Sequence, residues 1–250
     1  MLKLSIRDFE GETFVAFLDI CGFRVMMNNQ TKAEMTLDDF FRTVYEEVGM
    51  SRGRPEVPEV VDCIVVSDCA VAFARTENSE RDDPLAPDWS SKEAKRLVSM
   101  LTFVENVALK MINREVAIRG SIAHGPLKYM RTLEGPGLVK AKFSGKAYLN
   151  AYTDAERGLP ELKLGQVRIR PRAKVQSILG QNPDFSSRFP LHLRKGNFYF
   201  YWMLRSLRHR PSFDRRLTLC YEKLYDPIIS LIKCYAEVDQ APNIQTTATL

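Results

Sequence analysis

Apolar residues fall along this chain in two rhythms: short unbroken runs, and stretches at helical spacing. Phe14 to Ile20 is apolar except for Asp19, and its length and its aromatic and β-branched content predict a buried strand. Cys21-Gly22-Phe23 reads as a turn, after which Thr36-Leu-Asp-Asp39 offers a cap for a helix running to about Val48. Ser51 to Pro58, rich in Pro and Arg, reads as a loop. Val60 to Val66 and Cys69 to Phe73 are two further apolar runs, parted by Ser67-Asp68, which predicts a β-hairpin with Asp68 at its tip. Glu77 to Asp88 is an acidic, Pro-containing loop, and Ser90-Ser-Lys-Glu93 resembles a capping box. Behind it, Leu97, Leu101, Val104, Ala108 and Met111 share one helical face, the pattern of a core-facing stripe.

Glu115 to Ala123 predicts a strand closed by His124-Gly125-Pro126, and Leu133 to Gly137 a turn. Gly145 to Glu156 reads as a helix stopped by Gly158 and Pro160. Farther on come a short strand (Val167 to Ile169), the aromatic run Phe198 to Trp202, and a helix from about Arg215 to Ala236. Strand, helix, strand, strand, helix, strand is the order of the split βαβ, so the chain is expected to be α+β with a ferredoxin-like βαββαβ core. That fold hosts many activities, and function has to be sought in particular residues.

At 250 residues the chain suits one domain with elaborations. No apolar stretch has the length of a membrane span, and the N-terminus MLKLSIRDFEGE lacks an apolar segment and carries acids early, which points to a cytoplasmic protein without a membrane partner. The five cysteines are odd in number, sit in apolar runs and form no C-x-x-C pair, so reduced thiols are expected. The net charge of +5 is uneven. From Lys163 to Arg216 the bases Arg168, Arg170, Arg172, Lys174, Arg188, Arg194, Lys195, Arg205, Arg208, Arg210, Arg215 and Arg216 face only Asp184 and Asp214. Such a segment attracts polyanions, and equally suits a solvated surface or a subunit contact. Phe198-Tyr-Phe-Tyr-Trp202 is contiguous, as in a buried strand, rather than interleaved with cations as in a base-stacking platform, so nucleic acid is not an expected partner.

Two carboxylates are placed informatively. Asp19 ends the first strand and Asp68 occupies the hairpin, and in a βαββαβ sheet the first strand lies beside the hairpin. Two carboxylates brought close repel unless a cation separates them. Hard oxygen donors favour Mg²⁺ or Mn²⁺, and two such metals suit in-line displacement at phosphorus.

Phe17-Leu-Asp-Ile-Cys-Gly-Phe23, Val66-Ser-Asp-Cys69 and Arg119-Gly-Ser-Ile-Ala-His-Gly125 resemble three successive motifs of the class III nucleotidyl cyclases, and within them the bacterial Pycsar pyrimidine cyclases. The resemblance covers roughly residues 13 to 157, and implies a catalytic core over 1–160 with a basic, mainly helical extension over 161–250. By position it implies that Asp19 and Asp68 bind two divalent metals, with the carbonyl of Ile20 as a further ligand, and that the Cys21-Gly22-Phe23 backbone cradles the phosphates. The 3′-hydroxyl of a nucleoside triphosphate would attack the α-phosphorus and release pyrophosphate. Sites are built across a homodimer in this family, and the cyclic product of the Pycsar enzymes activates a separately encoded effector in antiphage defence.

The departures are as informative. Where purine cyclases read adenine with Lys and Asp, this chain has Ile64 and Lys142. A Lys donor suits a carbonyl oxygen and uracil presents two, which favours UTP over CTP. The family's Asn and Arg in the helix after Gly145 correspond to Leu149 and Thr153; a one-residue shift would supply Asn150 and leave Asp154 at the Arg position. Arg119 is then the first candidate for the cation that meets transition-state charge, with Lys146 and Arg157 behind it, while His124 reads as structural and His192 and His209 lack motif context. The alternatives are a degenerate domain that binds nucleotide and regulates a partner, and a purine cyclase.

Overall fold

The computed structural model describes residues 6–52, 59–76, 91–133, 139–194 and 196–202. The loops expected at 77–88 and between Leu133 and Gly137, most of the loop at 51–58, the helix expected near 215–236, His209, Cys220 and Cys234 lie outside these residues or mostly so.

Strand β1 (Phe9–Ile20) is the spine, because its side chains alternate between two cores. Phe14, Ala16, Leu18 and Ile20 enter the larger one, and Val15 and Phe17 the smaller. It lies antiparallel between β3 (Cys69–Arg75) and β4 (Ile118–Leu133), with β2 (Val60–Val66) outside β3. Helices α2 (Gln30–Ser51) and α3 (Lys92–Ile112), reached from β1 through the single turn α1 (Phe23–Met26), build the larger core with Phe40, Val44 and Val48 and with the expected stripe Leu97, Leu101, Val104, Ala108 and Met111. The α+β class and the βαββαβ order predicted from the apolar pattern are what the chain adopts.

Several boundaries differ. Helix α2 begins at Gln30, capped by Asn29, whose side chain accepts the Lys32 amide at 3.1 Å; Thr36, expected as the cap, is buried inside the helix. Helix α3 is capped by Ser91, which accepts from the Ala94 amide at 3.1 Å. Strand β4 runs through His124-Gly125-Pro126 without stopping. The reason is that β1 reaches back to Phe9, and its backbone groups need partners as far along β4 as Tyr129.

The far half of β4 also pairs with β5 (Val139–Ser144), a strand the apolar pattern did not reveal. From β5 the chain enters α4 (Lys146–Arg157), whose Ala147, Ala151 and Ala155 lie on the smaller core with Val15, Phe17, Ala123 and Leu127. The junction is tight: a Cβ on Gly145, which has φ +136°, would stand 2.2 Å from the Pro126 carbonyl oxygen and 2.8 Å from Leu127 Cα. Both neighbours are backbone. Gly145→Ala is therefore expected to cost about 2 kcal/mol or more, read as a lowered urea midpoint at unchanged slope.

Past residue 160 the chain keeps adding to the same sheet. Strand β6 (Val167–Arg170) pairs parallel with β4, followed by α5 (Arg172–Gln181), α6 (Phe185–Arg188), β7 (Leu191–Arg194) and β8 (Asn197–Phe200), giving the order β2-β3-β1-β4-β6-β8-β7. The sheet thus crosses the boundary expected at residue 160. Phe198, Tyr199, Phe200, Tyr201 and Trp202 are all buried, in keeping with core packing.

A buried ion network holds α4 to β6. Arg168 is fully buried, and its Nε donates to Asp154 Oδ2 at 2.7 Å, one guanidinium nitrogen to the Asp154 carbonyl at 2.9 Å and another to the Pro160 carbonyl at 2.6 Å. Ser121 Oγ donates to the same Asp154 oxygen at 2.7 Å, and Arg170 Nε lies 2.9 Å from the other. Among the described residues no helix is long and apolar enough to cross a membrane.

Candidate active site

Strand register assembles the site. Val66 pairs with Cys69, Cys69 with Asp19, and Asp19 with Arg119, so four residues distant in sequence form one row across β2, β3, β1 and β4. Residues directly opposed in a sheet share a face, here the face that carries Phe17 and α4. The row lies at the end of β1, where the Ile20 amide donates to the Asp68 carbonyl at 3.1 Å and ties the hairpin turn to the strand. That turn is the two residues Ser67 and Asp68, with Ser67 at φ +55°.

Ligand atoms of Asp19, Asp68 and Cys69 all lie within 4.8 Å of one another. Arg119 Nε donates to Asp19 Oδ2 at 3.1 Å, which leaves Oδ1 facing Cys69 Sγ at 3.6 Å. Cys69 Sγ is 3.9 Å from Asp68 Oδ1. Burial pushes the Asp19 carboxyl above its ordinary range; the hydrogen bond and charge of Arg119 pull it back, and the Asp68 charge adds to the rise. For Arg119, burial acts to lower the guanidinium, but the hydrogen bond and charge of Asp19 outweigh it. Burial, then the charges of Asp19 and Asp68, push the Cys69 thiol up.

Two carboxylates held together in a half-buried corner could hold a cation, which would remove both their repulsion and the cost of burial. The oxygen donors fit a hard divalent metal. Cys69 adds a sulfur beside the two carboxylates that the apolar composition of its strand does not signal.

The Cys21-Gly22 turn sits beside this row. The Cys21 amide donates to the Ala117 carbonyl at 2.9 Å, and Gly22 adopts φ +73° at the start of α1. No atom lies within 4 Å of where a Gly22 Cβ would be, so one side of the turn is open. Phe23 and the Cys21 side chain are buried, and burial pushes the Cys21 thiol up to about 12. The Gly165 carbonyl accepts from Trp202 Nε1 at 2.9 Å, and the Gly120 amide, next to Arg119, donates to the Gln166 carbonyl at 3.0 Å.

Other candidates stand apart. Ile64 pairs with Val71, opposite Phe17, one row back on the same face and partly buried. Lys142 is exposed on β5 opposite Met130, eleven residues along β4 from Arg119, or about 36 Å of strand at the usual rise. Lys146 is exposed in the first turn of α4. A single chain does not bring either lysine to Asp19. Leu149, Asn150, Thr153 and Arg157 are exposed on α4, whereas Asp154 is engaged by Arg168. His124 packs edge-on against Phe14 at 4.7 Å, opposite the fifth residue before Asp19, and burial pulls it down to about 4, neutral at neutral pH. His192 packs against Tyr201.

No family model and no curated protein matches the sequence. Among solved structures, the chain is similar to the adenylyl cyclase CyaB from P. aeruginosa, at 12% identity over 78% of this chain and 95% of that one, with a TM-score of 0.49. It is similar to the guanylate cyclase domain of RhGC from Catenaria anguillulae in complex with GTP, at 18% identity over 78% and 97%, with a TM-score of 0.43. For a bacterial light-regulated adenylyl cyclase the identity is 13% over 71% of this chain, the TM-score 0.45, and the chain spans about half of that protein, 48%. These likenesses assign no residue a role.

Proposed function

We propose that the protein is a nucleotidyl cyclase, converting a nucleoside triphosphate to its 3′,5′-cyclic monophosphate and pyrophosphate. The observation that carries this reading is the convergence of Asp19 and Asp68, each inside a cyclase-like motif, at the open Gly22 turn. Asp19 and Asp68, with the Ile20 carbonyl, would hold Mg²⁺ or Mn²⁺. When bound, such ions acidify the ribose 3′-hydroxyl and neutralise triphosphate charge. Gly22 leaves backbone amides accessible to phosphate oxygens. Arg119 donates to Asp19 and would be the cation that offsets charge developing at the α-phosphate.

Ile64 and Lys142 in place of the adenine-reading pair support a pyrimidine base, UTP before CTP. The distance of Lys142 from the carboxylates supports a homodimer in which Lys142 serves the site of the second copy. The role in antiphage defence, with a separate effector for the product, rests on the Pycsar-like motifs. A second reading, a domain that binds nucleotide without turning it over, is favoured by the exposed Leu149 and Thr153, which put no cation at the usual place on α4.

The test is incubation of the protein with ATP, GTP, CTP and UTP separately, with Mn²⁺, and mass analysis of the products. A cyclic pyrimidine monophosphate is expected. A cyclic purine product would overturn the base assignment alone; tight nucleotide binding without product would favour the second reading.

A further inference from the structure

Resting on the nucleotide-site reading above, we infer that Tyr152 of α4 is the platform on which the substrate's base stacks, the contact that tells a nucleoside triphosphate from a bare polyphosphate. Its place in the fold carries this. The Tyr152 ring meets Phe17 edge-on, with centroids 5.3 Å apart and planes at 75°. Phe17 pairs with Val71 and Val71 with Ile64, so these residues form the row behind Cys69, Asp19 and Arg119 on the same face. The two rows lie about 6.6 Å apart at the usual strand rise, which suits the span of a ribose between an α-phosphate and its base.

The course of α4 sets the direction. Tyr148 packs edge-on against Phe143 of β5 at 4.9 Å, and Tyr152, one turn on, lies near-parallel to Tyr148 at 6.2 Å. Glu156, one turn beyond, acts through its charge on both Arg119 and Cys69. The helix therefore runs from β5 toward the carboxylate row, and Tyr152 is its last aromatic before that row.

Packing does not account for Tyr152. The contact of α4 with the smaller core is made by Ala147, Ala151 and Ala155, all buried, whose small size lets the helix lie close to the sheet. Tyr152 stays 41% exposed, a large ring held at one edge. An aromatic braced edge-on by a second ring keeps its orientation while leaving π-surface free, and every base has a π-face to lay on it. Phe17 itself is buried, so it acts by positioning Tyr152. Stacking tolerates any base, so this role leaves the choice of base to other groups.

The experiment measures, by isothermal titration calorimetry with Mn²⁺, binding of α,β-methylene-UTP, α,β-methylene-ATP and inorganic tripolyphosphate to the full-length protein. The methylene bridge blocks loss of pyrophosphate, so binding is read without turnover. Tyr152→Ala and Tyr152→Leu are each expected to weaken both nucleotides by about tenfold, the size of one base–aromatic stack, and to leave tripolyphosphate unchanged. Leucine keeps an apolar side chain on Phe17, and Tyr152→Phe, which keeps the ring, should recover most of the affinity. Unchanged nucleotide affinity in Tyr152→Ala, or an equal loss for tripolyphosphate, overturns this inference and leaves the cyclase reading intact. A loss in Tyr152→Ala that Tyr152→Leu does not share assigns the ring to packing and overturns it as well. A wild type that binds tripolyphosphate with Mn²⁺ but neither nucleotide removes the cyclase reading together with this role.

Discussion

Asp19→Ala and Asp68→Ala are each expected to abolish cyclisation, lowering turnover by about a thousandfold or more, because the loss of several kcal/mol of charge stabilisation corresponds to three or more decades in rate. The fold should survive both changes. Asp68 is a half-buried turn residue, and Asp19 is a carboxylate that burial disfavours, so no apolar packing is lost at either position. The check is a paired measurement of product formation and of thermal stability with and without Mn²⁺. Metal at a hundredfold excess over its dissociation constant stabilises the protein that binds it by about 2.7 kcal/mol. The wild type should show that upward shift and the variants should not. Full activity in either variant would falsify the metal assignment.

The largest effect on stability is expected from Asp154→Ala. Removing this carboxylate leaves Arg168 buried with its charge uncompensated, and takes a partner from Ser121 and Arg170. Breaking a buried pair in this way costs about 3–5 kcal/mol, a large part of the roughly 5–15 kcal/mol that holds a domain folded. Arg168→Met, which fills the volume without the charge and leaves Asp154 with Ser121 and Arg170, should cost less than Asp154→Ala. The exposed pair Lys128–Glu10, at 2.6 Å on the surface of the same sheet, is the control: its loss should cost about 0–1 kcal/mol. Equilibrium urea unfolding of the three variants separates these cases, and a loss below about 1 kcal/mol for Asp154→Ala would show that the network does not hold α4 to β6.

What could be read in the sequence was what depends on short-range periodicity. The runs from Phe14 and Val60, the hairpin at Ser67-Asp68 and the stripe from Leu97 to Met111 all appear as strands, turn and core helix. The approach of Asp19 to Asp68 followed, because the split βαβ order puts the hairpin beside the first strand. Signals decided by distant partners were lost. Gly125-Pro126 looks like a stop until β1 is seen to extend back to Phe9 and demand a partner there. Strand β5 carries Lys140 and Lys142 among its few apolar residues and exists because β4 offers it an edge. Thr36 has the chemistry of a cap but is one of the polar residues that α2 turns inward. At the site, the place of Cys69 beside Asp19 depends on register, which the composition of its strand hides.

The Gly120–Gln166 hydrogen bond, with the adjacent Gly165 held by Trp202, bears on how this protein can be divided. The strand residue that follows Arg119 is held by a loop beyond residue 160, and that loop is pinned by the indole of an aromatic lying farther on still. Modularity ends there. A polypeptide cut at residue 160 would retain every motif residue named above and yet lose the support that shapes one of them. Insertions between Leu162 and Trp202 would reach the row of Asp19 and Arg119 through the same chain of contacts.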